Sequence, residues 1–151
     1  MSPFNINDLA QYEALQMLCG QHLGTGAMRS VFDHGFAWGK VVKVAINENG
    51  VRANVTEYEV WRQLGDRARP HFAECSSISG SGVILIQERL QTPLPKGKYK
   101  VLRYFDDVKA TNFGLRLVKG KPPRIVCCDY GYNHLITYGS EVIGTKVLEA
   151  L

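Results

Sequence analysis

Leu23-Gly24-Thr25-Gly26-Ala27-Met28-Arg29-Ser30-Val31-Phe32, followed after a turn near Asp33 to Gly35 by a strand containing Val41-Val42-Lys43-Val44-Ala45, is the stretch that decides the fold. Its first ten residues have a strand, glycine turn, strand layout in which backbone N–H groups can approach phosphate oxygens with no Cβ in the way. Alone that layout says little. A chain with fifteen glycines holds about one or two G-x-G triplets by chance, and a second stands at Gly80-Ser81-Gly82. The strand that follows carries more information. Lys43 lies inside an otherwise apolar strand, where a cation is costly unless an anion meets it or its stem snorkels to water.

Working outward, Asn7 and Asp8 read as capping residues of a helix with Leu9, Tyr12, Leu15 and Leu18 on one apolar stripe, closed by Gly20. That stripe is expected to pack on the sheet. Three short antiparallel strands are expected over Leu23 to Gly26, Ser30 to Phe32 and Trp38 to Ile46. Residues 51–65 change period: Glu57, Val60, Trp61 and Leu64 fall at i, i+3, i+4 and i+7, and Gly65 ends the segment. A helix with a carboxylate on its inner stripe supplies the anion that Lys43 needs; a solvated carboxylate is the plainer reading of Glu57. Two more strands are expected, Phe72 to Ser77 and Val83 to Leu90, joined through Ser79-Gly80-Ser81-Gly82. Residues 91–100 have linker composition, with Pro93, Pro95 and Gly97 among lysines. Beyond them come Val101 to Asp107, a loop, a strand at Phe113 to Val118, a Lys-Gly-Lys-Pro-Pro turn and a strand at Arg124 to Cys128.

Composition bounds the answer. The chain has 151 residues, 45% of them hydrophobic and 21% charged, which fits one compact soluble α+β domain. No apolar run approaches the ~20 residues that cross a bilayer, and the first residues lack the pattern of a secretory signal, so a cytoplasmic location without membrane contact is expected. Cys19, Cys75, Cys127 and Cys128 form no C-x-x-C pair, and the four histidines share no ligand spacing. Neither zinc nor a disulfide framework is indicated. The net charge of +4 is an ordinary solvated surface with a mild preference for anions. Lys96, Lys98, Lys100 and Arg103 interleave with Tyr99 and Tyr104, a pattern that can bind nucleic acid but reads first as a solvated linker.

Two later motifs carry chemistry. Asp107-Val108-Lys109-Ala110-Thr111-Asn112 sets a carboxylate five residues ahead of an amide in one loop, a spacing whose chance expectation in this composition is roughly 0.02. Ile125-Val126-Cys127-Cys128-Asp129-Tyr130-Gly131 ends an apolar strand in Asp-Tyr-Gly, with a carboxylate at the strand mouth beside a turn. Either acid can equally serve as a loop cap or a strand terminator.

Glycine loop, strand lysine, helix glutamate, D-x-K-x-x-N loop and Asp-Tyr-Gly occur in the order that resembles the protein-kinase-like superfamily. The resemblance spans roughly residues 20–131. It implies that Gly24 and Gly26 cover the phosphates of ATP, that Lys43 holds the α and β phosphates, and that Glu57 holds Lys43. Gln87-Glu88-Arg89-Leu90 would meet the adenine through backbone groups. Asp107 would accept the hydroxyl proton, Lys109 would steady the transferred phosphate, and Asn112 and Asp129 would bind Mg²⁺.

The departures are Arg29 at the third glycine, Phe105 and Asp106 before the catalytic aspartate, and Tyr130 within the metal motif. About sixteen residues separate Leu90 from Asp107 and twenty follow Gly131, too few for a helical substrate lobe. The expected architecture is therefore a single minimal domain over 1–151. Residues 1–90 resemble the small lobe, 91–100 are a linker, and 101–151 are a catalytic-loop hairpin, as in small phage-encoded kinase-like proteins. The function implied is Mg-ATP-dependent phosphoryl transfer to a hydroxyl on a protein. The rival is an interaction module that docks on a partner protein and inhibits it, because three acids converging on one cleft favour chemistry while the missing lobe favours docking. The missing lobe also leaves an apolar underside at Val101, Leu102, Tyr104, Phe105, Leu115 and Leu117, to be covered by the first helix, the tail apolars Val142, Ile143, Val147 and Leu148, a second copy or a partner.

Overall fold

The computed structural model describes residues 5–102, 109–131 and 145–151. Its centre is a five-stranded antiparallel sheet built from β1 (Cys19–Thr25), β2 (Arg29–His34), β3 (Lys40–Ala45), β4 (Cys75–Ile78) and β5 (Ile84–Glu88), in the order β1-β2-β3-β5-β4. Helix α2 (Glu48–Gln63) packs on one face of it. The expected α+β class and five-stranded sheet are thus present. No helix among the described residues is long and apolar enough to cross a membrane.

The sheet positions Lys43 centrally. β3 has β2 on one side and β5 on the other, with Lys43 opposite Val31 and Leu85. α2 begins three residues before the expected start, because the Asn47 side chain caps the Gly50 N–H at 2.9 Å. The same Asn47 amide donates to the Ala27 carbonyl at 3.0 Å, so one residue both starts the helix and anchors the glycine turn. Along α2, Gly50, Ala53, Asn54, Glu57 and Val60 are buried, a stripe at helical spacing.

Gly50 allows this close approach. A Cβ there would run into the Met28 carbonyl and lie 3.0 Å from the Ala45 Cα. Helix propensity alone would favour alanine at this position by about 1 kcal/mol. The clash outweighs it, and Gly50→Ala is expected to lower stability by about 1–3 kcal/mol, read as a reduced urea midpoint. A stabilised variant would show that α2 does not sit this close to the start of β2.

Two expectations need correction. Helix α1 (Ile6–Leu18) is capped by Asn5, whose side chain accepts the Asn7 N–H, and it buries none of its residues. Leu9 is 37% and Tyr12 60% exposed, so the stripe does not pack on the sheet. The reason is connectivity: β1 begins at Cys19, directly after the helix, with no loop to fold α1 back. Gly20 accordingly belongs to β1, not to a helix cap.

The second correction concerns residues 91–100. Their last four residues begin strand β6 (Gly97–Leu102), which pairs antiparallel with β9 (Thr145–Ala150). Lys98 and Lys100 are exposed while Val101 and Leu102 are buried, so lysine-rich composition hid an edge ribbon. The tail, one of the covers expected for the apolar underside, does cover part of it. Leu148 and Ala150 of β9 join Val101, Leu102, Phe113 and Leu115 in the core, so the tail rather than α1 covers that part of the underside.

β7 (Phe113–Arg116) and β8 (Arg124–Cys127) form the expected second hairpin. One hydrophobic cluster runs from Val60, Phe72 and Leu85 through Leu94 to Cys127 and Tyr130, joining sheet, helix and both ribbons. Arg116 ties β7 to β5: it donates to both Glu88 carboxylate oxygens at 2.7 and 2.8 Å, and to the Pro70 and Phe72 carbonyls at 3.0 Å. Cys127 enters the main core and Cys128 packs against a second small cluster of Ala73, Leu90 and Val126. Adjacent residues at the end of a strand point to opposite faces.

Candidate functional site

A cleft of about 330 Å³ lies beneath the β1–β2 turn. Gly24, Gly26, Arg29, Lys43, Leu90 and Asp129 are among the residues that line it. The turn closes through the Gly26 N–H donating to the Arg29 carbonyl at 2.9 Å, and Thr25 and Ser30 hydroxyls meet across it at 2.9 Å. A Cβ on Gly24 would meet nothing within 4 Å, so no protein contact requires glycine there. What its absence of side chain does is leave backbone open toward the cleft.

Lys43 is buried and its Nζ donates to Glu57 Oε1 at 2.7 Å and to the Cys128 carbonyl. The expected pair across the sheet–helix boundary is formed. Glu57 is completely buried and serves more than one cation. Gln87 Nε2 donates to Oε1 at 3.1 Å, and the Arg29 guanidinium ion-pairs with Oε2. Three residues from three strands therefore share the one buried carboxylate that α2 supplies, which is what lets two cations stay desolvated.

Arg29, noted in the sequence only as a replacement for the third glycine, proves central. It is 7% exposed. Besides Glu57, its guanidinium donates to Asn54 Oδ1 at 3.1 Å and to Asp129 Oδ1 at 2.6 Å. Asn54 is itself fixed, since its amide donates to the Gly82 and Val83 carbonyls at 2.9 and 3.1 Å. Burial disfavours the charge on Arg29, but the carboxylates of Glu57 and Asp129 outweigh it and hold the guanidinium above its ordinary pKa range.

Asp129 stands at the mouth of β8, with 43% of its side chain exposed. Its N–H and that of Cys128 both donate to the Asn112 carbonyl, at 3.2 and 2.8 Å, so the single helical turn Ala110–Asn112 fixes the strand end. Asn112 is buried, and Lys109 precedes that turn at an exposed position. Asp107 lies outside the described residues, as do Phe105 and Asp106. Tyr130 is a core residue: its hydroxyl donates to the Ala73 carbonyl at 2.8 Å, meets Cys75 Sγ at 3.1 Å, and its ring packs edge-on to Phe72. It anchors the chain immediately after Asp129.

Glu88 gives its carboxylate to Arg116 and its N–H to the Glu74 carbonyl, and Arg89 and Gln91 N–H groups are likewise taken, by Gly39 and Leu115. The Leu90 N–H makes no hydrogen bond with the described residues. The Cys128 thiol is pushed up to about 11 by burial, opposed in part by Lys43, so it stays protonated and inert near neutral pH.

Of the predicted site residues, Gly24, Gly26, Lys43, Glu88 and Asp129 line one cleft, Glu57 sits buried behind Lys43, and Asn112 stays off the lining, reaching the site through its carbonyl, which holds the Cys128 and Asp129 N–H groups. Sequence reading missed Arg29, Asn54, Gln87 and Tyr130 as builders of the site. Asn54 had a legible signal, three residues before Glu57 on the same helix face. The described arrangement fits the Mg²⁺ that the resemblance implies poorly, because one Asp129 oxygen, Oδ1, is held by the Arg29 guanidinium and a metal on the other would sit beside that cation. No protein-family model, curated protein or solved structure matches the chain.

Proposed function

We propose that this chain binds ATP in the cleft beneath the β1–β2 turn and transfers its terminal phosphoryl group to a hydroxyl on a protein, in the manner of a minimal kinase-like protein. The observation that supports it best is the buried Lys43–Glu57 pair set directly under a glycine turn. A desolvated lysine ammonium held by a carboxylate from behind is a fixed positive charge for phosphate oxygens, at no reorganisation cost when the ligand arrives. Adenine would take the Leu90 N–H, and the hydroxyl proton would go to Asp107.

A thermal melt with and without ATP tests binding. At 100 times the dissociation constant, a ligand stabilises the native state by about 2.7 kcal/mol, a rise of several degrees in a chain of this length. Radiolabelled phosphoryl transfer to a protein acceptor tests the chemistry. Asp107→Asn is expected to abolish transfer while keeping the thermal shift, since that carboxylate acts on the hydroxyl and not on the nucleotide. Undiminished transfer in the variant would place the base elsewhere.

A second reading is favoured by one observation. The Arg29–Asp129 ion pair engages the acid that a phosphotransferase would give to its metal. In that reading the chain is a docking module that inhibits a partner protein, using exposed apolar residues such as Leu117 and the α1 stripe. Capture of a protein with no transfer to any acceptor would decide for it.

A further inference from the structure

We propose that the cleft is a metal-independent polyphosphate site, in which the Arg29 guanidinium takes the place beside Asp129 that a divalent cation would otherwise hold. The inference rests on the reading above for the location of the phosphates but not for the nucleoside or for transfer.

A gate that swings aside would be exposed and loosely bonded. Arg29 is buried and fixed on three sides, by Asn54 at 3.1 Å, by Asp129 at 2.6 Å and by Glu57. Asn54, completely buried, is committed to two backbone carbonyls and has its oxygen turned to the guanidinium. The arginine is therefore a permanent part of the site.

Charge arrangement points the same way. Arg29 and Lys43 both line the cleft, whereas Glu57, their shared carboxylate, sits behind them with no exposed surface. Of the other charged residues that line it, Arg89 is paired with Asp33 and Glu88 with Arg116. A ligand under the glycine turn meets two cations and, among the described residues, one incompletely shielded acid, Asp129.

A divalent ion beside Asp129 would have to use the oxygen that Arg29 leaves, or strip the carboxylate from Arg29, and in either case sit next to a buried guanidinium. Like charges at a few ångströms in a poorly solvated site repel strongly. A guanidinium, unlike Mg²⁺, brings N–H donors in a planar fork that fits phosphate oxygens without a hydration shell. One cation beside Asp129 excludes the other.

Thermal melts of the whole chain with ATP and with inorganic tripolyphosphate, each in EDTA and in excess Mg²⁺, provide the test. Both anions are expected to raise the midpoint by several degrees in EDTA, and Mg²⁺ is expected to add nothing. Arg29→Gly should lose the shift in EDTA. Because that variant also removes a partner of Glu57 and can fail to fold, Asp129→Asn supplies an independent reading. It removes the one acid facing the anion, so the shift in EDTA should increase; a shift in EDTA that falls would overturn the proposal, and loss of a shift seen only with Mg²⁺ would make Asp129 a metal ligand and overturn it as well. A wild-type shift that requires Mg²⁺ would overturn it while leaving ATP binding intact. A shift with tripolyphosphate but not with ATP would uphold the polyphosphate site and defeat the nucleotide reading. No shift with either anion in EDTA would defeat the proposal outright.

Discussion

Glu57→Ala is expected to lower the unfolding free energy by about 3–5 kcal/mol, the cost of stranding buried charges without their counter-ion. The size follows from how many groups depend on this one carboxylate. Lys43, Arg29 and Gln87 all turn to it, and all three are buried. Without it, Lys43 keeps only the Cys128 carbonyl, and Arg29 keeps Asn54 and Asp129. Urea unfolding monitored by tryptophan fluorescence measures the loss, with Glu57→Gln as the isosteric companion. A loss below about 1 kcal/mol, the range of an exposed ion pair, would mean that Glu57 faces water.

Lys43→Met should behave in the opposite sense, with a modest effect on the fold and a complete one on ligand binding. Glu57 would retain Arg29 and Gln87 as partners, so the structural cost is that of charged hydrogen bonds, about 1–3 kcal/mol. The ATP-induced stabilisation, about 2.7 kcal/mol at 100 times the dissociation constant, should vanish because the ammonium serves the ligand. Comparing melts of parent and variant at equal ATP checks both parts. A variant that still shifts by the parental amount would remove Lys43 from the binding site, whatever its contribution to the sheet.

The contrast between these two residues comes from position in one network. Glu57 lies behind the cations and organises them; Lys43 lies in front and faces the cleft. Arg29 does both, which is why its substitution probes ligand binding less cleanly than Asp129→Asn. The buried Gln87, completing the set from β5, donates to the same carboxylate and to Cys75 at 3.7 Å. Together they make the sheet–helix interface polar where the rest of the core is apolar, a pattern natural to a site and costly for a scaffold.

The short-range part of the structure is encoded by neighbours along the chain. The change from alternating residues in β3 to the i, i+3, i+7 stripe of α2, the Ser79–Gly82 turn, and the alternation of Cys127 and Cys128 are properties of neighbours along the chain, set by strand and helix periods. The Lys43–Glu57 pair was legible for a related reason: a charge inside an apolar strand and a charge on an apolar helix face each demand a partner, and these were the two available. Tertiary structure alone decided the rest. The apolar stripe of α1 has the same period as a packed helix, and only the missing loop before Cys19 leaves it exposed. β6 needed β9, far along the chain, to become a strand. Arg29 reaches an aspartate 100 residues away, so nothing local distinguishes it from a surface arginine in a turn. Hydrophobic period fixes which face of an element is buried, but not which long side chain crosses a cleft; that depends on the approach of α2 to β2 through Gly50 and on the docking of β8 against the Ala110–Asn112 turn.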